Sequence, residues 1–157
     1  LVNGWYNIVT FLTAFALAWF AKKYLAKHVH TACLILAGIG FLAFPHIGNK
    51  YLLFVAISGF GIGWASMMGI PYLMVVMDIP KERYGVYMGI INMMIVVPML
   101  IQTLTFGFVL KNFLGNDPRN AITFAGVLLL IAALLTQRIR EHRKLGENVA
   151  IQGGGGH

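Results

Sequence analysis

Charged side chains are scarce in this chain. Asp, Glu, Lys and Arg make up 11% of its 157 residues, where an ordinary soluble domain holds about 25%. So few charges cannot coat a water-soluble fold of this length, and lipid is the solvent that removes the requirement. Cysteine is nearly absent as well. The single Cys33 lies inside an apolar run, has no partner for an internal disulfide and says nothing about redox compartment. The chain does not begin with Met. Its first apolar run is too long for a signal peptide and lacks a basic leader with a small-residue cleavage site. We therefore expect a piece of a longer protein that has lost its N-terminal part.

Other absences exclude chemistry. No carboxylate falls within an apolar run: Asp78 and Glu82 stand at the edge of one and Asp117 in a loop. The histidines His28, His30, His46 and His142 read as scattered at loops and run ends, and His157 is alone. No Ser-His-Asp or Cys-His pattern is present, so an intramembrane hydrolase has nothing to work with. We expect no enzyme, no metal site and no cofactor. "GFGIG", residues 59–63, lacks the G-x-G-x-x-G spacing and is followed by no Lys-Ser/Thr, so it is no nucleotide loop. Gly59 and Gly63 instead form a small-xxx-small step suited to close helix contact.

What is abundant is apolar. The chain is 59% hydrophobic with a mean hydropathy of +0.76. Five runs are long enough to span a bilayer: Gly4 to Ala21, Val29 to Pro45, Tyr51 to Met77, Gly85 to Leu110 and Ala121 to Gln137. Short polar connections force antiparallel neighbours, and Asn120 or Asp117 is placed to cap the fifth helix, with Pro118 in its first turn. Nine of the twelve Lys and Arg residues fall on one side: Lys22, Lys23 and Lys27 after the first run, Lys81 and Arg83 after the third, and Arg138, Arg140, Arg143 and Lys144 after the fifth. Only Lys50, Lys111 and Arg119 fall on the other. The net charge of +7 is therefore a positive-inside signal rather than a nucleic-acid surface. It puts the N-terminus outside and the C-terminus in the cytoplasm of a multi-pass protein of the plasma (inner) membrane. Residues 1–145 read as one transmembrane bundle and 146–157 as a disordered cytoplasmic tail.

Polar residues within the spans are unevenly shared. The second and fifth runs are bland and read as lipid-facing. On the first, Asn3, Asn7 and Thr10 form a stripe; on the fourth, Gly85, Asn92 and Thr103 align within about 20°, with Gln102 beside them. On the third, Gly61, Trp64, Met68 and Tyr72 share a face. Each of these residues has two readings, a hydrogen bond between helices or the lining of a cavity. Three polar helices beside two bland ones fit a cavity lined by the first, third and fourth and backed by the second and fifth.

The stretch "GWASMMGIPYLMVVMDIPKERYGVYMGIINMMIVVPMLIQ" resembles the tenth and eleventh helices of sugar transporters in the major facilitator superfamily, most closely the sucrose–proton symporters and the glycoside–pentoside–hexuronide cation symporters. The matching residues are Gly63, Ile70, Pro71 and Tyr72, then Gly85, Gly89, Asn92 and Pro98. "AKKYLAKHVH" looks like that superfamily's second, degenerate cytoplasmic loop, without its usual Gly and Asp. The resemblance implies an all-α polytopic fold whose five spans are helices eight to twelve of twelve. It implies transport of a sugar, a disaccharide or glycoside, with a coupling cation, H+, by alternating access. Trp64 and Tyr72 would offer ring faces to the sugar and Asn7, Asn92 and Gln102 its rim hydrogen bonds; Trp64 packed between helices is the other reading. Trp5 and Tyr6 read as an outer aromatic belt. Pro71 and Pro98 each free a carbonyl and permit a kink at a gate. Proton coupling needs an intramembrane ionisable group; none is read in these spans, so the acid is expected in the absent N-terminal half, and the fragment alone is expected to be inactive. The competing reading is a stand-alone five-helix membrane scaffold or accessory subunit.

Overall fold

A computed structural model describes residues 2–139. The expected tail 146–157, the basic residues Arg140, Arg143 and Lys144, and the side chains of Asn3 and Asp78 lie outside the described residues. Five long helices account for nearly all of the rest: α1 (Val2–Lys23), α2 (Ala26–Ala43), α3 (Lys50–Asp78), α4 (Tyr84–Asn112) and α5 (Pro118–Thr136). Each is long and apolar enough to cross a membrane. Short 3₁₀ turns, Phe44–His46 and Lys81–Arg83, close α2 and open α4.

The ends follow from local chemistry. Asn49 caps α3 by accepting a hydrogen bond from the Tyr51 amide at 2.9 Å, and Asp117 caps α5 by accepting from the Arg119 amide at 2.8 Å. Pro118 occupies the first turn of α5, where its missing N–H costs nothing. Between α4 and α5 the chain reverses through Gly115 and Asn116, both at positive φ, the two residue types that tolerate that region best. The turn after α1 and the end of α5 meet at one end of the bundle, where the Lys27 ammonium donates to the Ile139 carbonyl at 3.2 Å.

The packing sharpens one expectation. α2 keeps an exposed apolar face, at Ile35, Leu36 and Ile39, but it also lies between α3 and α5 and packs closely on both. The reason is small residues placed against facing backbone. A Cβ on Gly40 would sit 2.6 Å from the Ala56 carbonyl oxygen, one on Gly59 would sit 2.9 Å from that of Leu36, and one on Gly63 would sit 2.5 Å from the Ala37 Cβ. On the other side of α2, Gly38 and Gly126 of α5 abut in the same way, each added Cβ lying 3.1 Å from the other's carbonyl oxygen. Lipid offers no hydrophobic drive for helices to associate, so close backbone contact supplies the attraction. Residues that read as bland are therefore the ones that build the seams. The outer face of α5 does remain exposed, at Leu134 and Leu135 for example.

α1 packs on α3 instead of on its chain neighbour α2. Gly61 lets the helices close: a Cβ there would meet the Tyr6 carbonyl oxygen at 2.9 Å. Thr10 bridges the two, its hydroxyl lying 2.8 Å from the Tyr6 carbonyl and 3.1 Å from that of Gly61. Trp5 donates from Nε1 to Ser58 Oγ at 2.8 Å and meets Phe54 edge-on. Leu17, Ala26, Cys33, Ala65 and Ile70 form the core shared by α1, α2 and α3.

α4 stands apart. From Asn92 through Phe108 every residue is exposed, and Ile91 is its one buried residue.

Candidate functional site

Two of the residues singled out in the sequence meet. The Tyr72 hydroxyl of α3 donates to Asn92 Oδ1 of α4 at 2.5 Å. The turn between them sets this up. Lys81–Arg83 reverses the chain, and the Tyr84 hydroxyl reaches the Val76 carbonyl at 3.3 Å, which holds the first turn of α4 against the last turns of α3. Tyr72 and Asn92 lie further inward. Beyond them α4 departs from α3.

The other candidates do not join this pair in a compact constellation. Trp64 lies about 12 Å back along α3 at 1.5 Å per residue. It is 41% exposed and tilts against Phe60 at 5.8 Å. Phe60 in turn stacks on Phe41 of α2 at 4.9 Å and meets Tyr6 of α1 edge-on. Trp64 therefore caps an aromatic cluster that joins three helices while leaving part of its ring open. Tyr6 belongs to that cluster, and Trp5 to the α1–α3 seam, so both contribute contacts between helices. Gln102 is exposed about 15 Å along α4 from Asn92. Asn7 is exposed on α1. Thr103 and Thr105 donate to the carbonyls of Met99 and Ile101 within their own helix.

The cavity expected among the first, third and fourth helices takes a different form. A cavity of about 650 Å³ lies between α3 and α4. Met67, Pro71 and Met74 line it from α3, Tyr87 and Ile91 from α4, His30 from α2 and Thr136 from α5. α1 contributes nothing to it. The physical reason is the placement of α2: once α2 packs into the α3 seam, it and α5 form the cavity's third wall, while α1 occupies another side of α3. Pro71 faces this space. It removes the bond that its amide would otherwise give the Met67 carbonyl, yet α3 continues through it, as α4 does through Pro98.

The sequence places His30 at the start of a run and reads the spans as free of ionisable groups. His30 is in the second turn of α2, and the structure overturns the second reading. His30 lies within the apolar span of α2, is buried, and its Nδ1 is 2.7 Å from the hydroxyl of the fully buried Ser66. The sequence carries a signal: at 100° per residue Ser66 and Ile70 each fall within about 20° of Gly59, so Ser66 had to face α2. A buried hydroxyl at a seam needs a partner, and His30 is the nearest polar residue that an antiparallel α2 can offer. Among the described residues, no three His, Cys, Asp or Glu side chains gather in metal-binding reach.

The family model of the Major Facilitator Superfamily matches residues 1–153. The chain belongs to the Major Facilitator Superfamily. Its five helices are thus transmembrane segments of a multi-pass membrane protein, and its family is one of transporters, generally without enzymatic activity. No curated protein and no solved structure matches the chain. In this family setting the bare polar face of α4 and the Tyr72–Asn92 bridge are parts of a transport protein, and the buried His30–Ser66 pair is a polar contact inside its helical bundle.

Proposed function

We propose that the chain is the C-terminal portion, helices eight to twelve, of a secondary active transporter that moves a disaccharide or glycoside together with H+ by alternating access. The observation that carries this reading is the Tyr72–Asn92 hydrogen bond. It couples an aromatic ring to an amide across two proline-bearing helices, beside a face of α4 that no other described residue covers. An aromatic face and a neighbouring amide are what a sugar ring and its hydroxyl rim require. Trp64 adds a second open ring face, and Asn7 on α1 and Gln102 on α4 add exposed hydrogen-bonding groups. Pro71 and Pro98 serve as hinges. The uncovered face of α4 is the seat of the N-terminal half, and alternating access is the rocking of the two halves about it.

The orientation follows the charge bias, with the N-terminus outside and the C-terminus in the cytoplasm of the plasma membrane. No carboxylate falls within the described spans, so the coupling acid is assigned to the N-terminal half. The chain alone, lacking half of the cavity, does not transport. Two measurements test this. Liposomes holding this chain alone should show no uptake of labelled disaccharide, and measurable uptake would overturn the two-half reading. In the full-length transporter Asn92→Ala should lower uptake at least tenfold; unchanged uptake would remove Asn92 from the site.

A further inference from the structure

The two helices at the start of the chain are joined by only Tyr24 and Leu25, yet they diverge. Between them lies a groove of about 490 Å³. Leu17 and Phe20 wall it from α1, Val29 and Ala32 from α2, and Ile62 of α3 completes it. Along its length the lining is almost entirely carbon. At the turn the chemistry changes. Tyr24 and His28 stand at the groove's end. The Lys23 ammonium lies over the rings of Trp19 and Tyr24, 5.5 and 5.9 Å from their centroids. Lys23, Tyr24 and His28 are all exposed. Lys27 is engaged elsewhere, on the Ile139 carbonyl.

A slot that is apolar along its length and cationic at one mouth has the polarity of a phospholipid turned inside out. A free phosphate or nucleotide would leave the carbon walls unused, and a neutral apolar molecule would leave the cation unused. We propose that this groove holds an acyl chain of an anionic phospholipid, whose headgroup phosphate is met by the Lys23 ammonium and a His28 ring N–H. The Trp19 and Tyr24 rings hold the Lys23 ammonium beside the groove's end. On the orientation proposed above, the mouth opens in the cytoplasmic leaflet, where anionic lipids concentrate. The inference rests on α1 and α2 crossing a membrane and is independent of which solute is carried.

Trp19 sits under Lys23 and reports on the site. The experiment places the full chain, with Trp5→Phe and Trp64→Phe so that Trp19 is the sole tryptophan and is excited selectively over tyrosine, in phosphatidylcholine vesicles. Brominated phosphatidylglycerol or brominated phosphatidylcholine is added as quencher. One lysine near the membrane surface is worth a preference of about fivefold, so the glycerol lipid should quench Trp19 at about one-fifth the mole fraction of the choline lipid. Lys23→Gln should abolish most of that preference. Lys50→Gln, at the opposite end of the bundle and over the ring of Tyr51, should leave it intact. Ala32→Phe, which fills the groove, should remove the preference while choline-lipid quenching persists, and that residual quenching shows that Trp19 is still in the bilayer. Equal quenching by the two lipids, as when another helix covers the groove, would overturn the proposal. So would a preference that survives Lys23→Gln or Ala32→Phe.

Discussion

Helices α2 and α4 are both long and apolar enough to cross a bilayer, yet they live in opposite surroundings. Of the most apolar stretch of α2, 39% is buried; of the corresponding stretch of α4, none is. Both carry glycines and both carry polar side chains. The difference lies in what faces them. Each of Gly38 and Gly40 on α2 looks directly at a carbonyl of a neighbouring helix, whereas a Cβ added at Gly85, Gly89 or Gly107 of α4 would meet nothing within 4 Å. The polar residues divide in the same way: His30 is buried against Ser66, while Asn92 and Gln102 are exposed. A small residue makes a helix seam only when the opposing helix presents backbone at the matching height. α2 has been given two such partners. α4 has been given a tether at one end and left bare along the rest, which is the condition of a helix whose partner is a substrate path or another part of the protein.

The comparison is broken most forcefully by filling the glycines. Gly63→Leu places side-chain atoms where Ala37 of α2 already stands, so the α2–α3 seam must open. Overpacking of this kind costs about 1–3 kcal/mol, and more when backbone rather than a flexible side chain must yield. Gly89→Leu on α4 meets open space and should change stability by no more than about 0.5 kcal/mol. Unfolding midpoints in detergent, followed by circular dichroism, compare the two variants. Equal losses would mean that α4 is packed as closely as α2 and that the contrast between them is wrong.

Next in size is the buried polar pair. Ser66→Ala removes the hydroxyl and leaves the His30 ring nitrogen buried without a partner, at a cost of about 1–2 kcal/mol. Asn92→Ala removes an exposed amide whose partner, the Tyr72 hydroxyl, is only partly buried and finds other company, so its stability cost is about 0.5 kcal/mol. The same unfolding measurement ranks them. Activity of the complete transporter should rank them in reverse if Asn92 belongs to the sugar site.

These ranks show what was legible in the sequence and what was not. Apolar run length and turn chemistry are local properties, so all five helices are readable within a few residues; of the two caps the sequence offers for α5, Asn120 and Asp117, the structure uses Asp117. The start of α2 was placed late, at Val29 rather than Ala26, because Lys27 and His28 read as loop although basic residues also suit a helix end at a membrane surface. Tyr72 and Asn92 were each singled out, but on separate helices; only the tight turn through Lys81–Arg83 makes them a pair. The arrangement of the helices was not readable from polarity. Counting polar side chains made α2 look peripheral, because its seams are built from Ala37, Gly38 and Gly40, which add nothing to such a count. His30 was discounted for the same reason: its role depends on Ser66, 36 residues away, and that distance is bridged by packing, not by any local pattern.

Deleting a single hydroxyl sharpens the comparison most finely. Tyr72→Phe keeps the ring and deletes only the hydroxyl that bridges α3 to α4. The global stability loss should be about 0.6 kcal/mol, the average for a polar contact between membrane helices. That energy holds α4 locally. With the tether shortened to Tyr84 and Val76, amide hydrogen exchange in α4 up to about Asn92 should quicken about threefold, the factor that 0.6 kcal/mol supplies. Exchange in α2, held by its glycine seams on both sides, should not change. If α2 and α4 quicken together, the two helices unfold as one unit and the Tyr72–Asn92 bond is part of the common core. If only α4 responds, that bond is the inner limit of its attachment, and the helix beyond Asn92 is free to move against the rest of the bundle, as the hinge proposed at Pro98 requires.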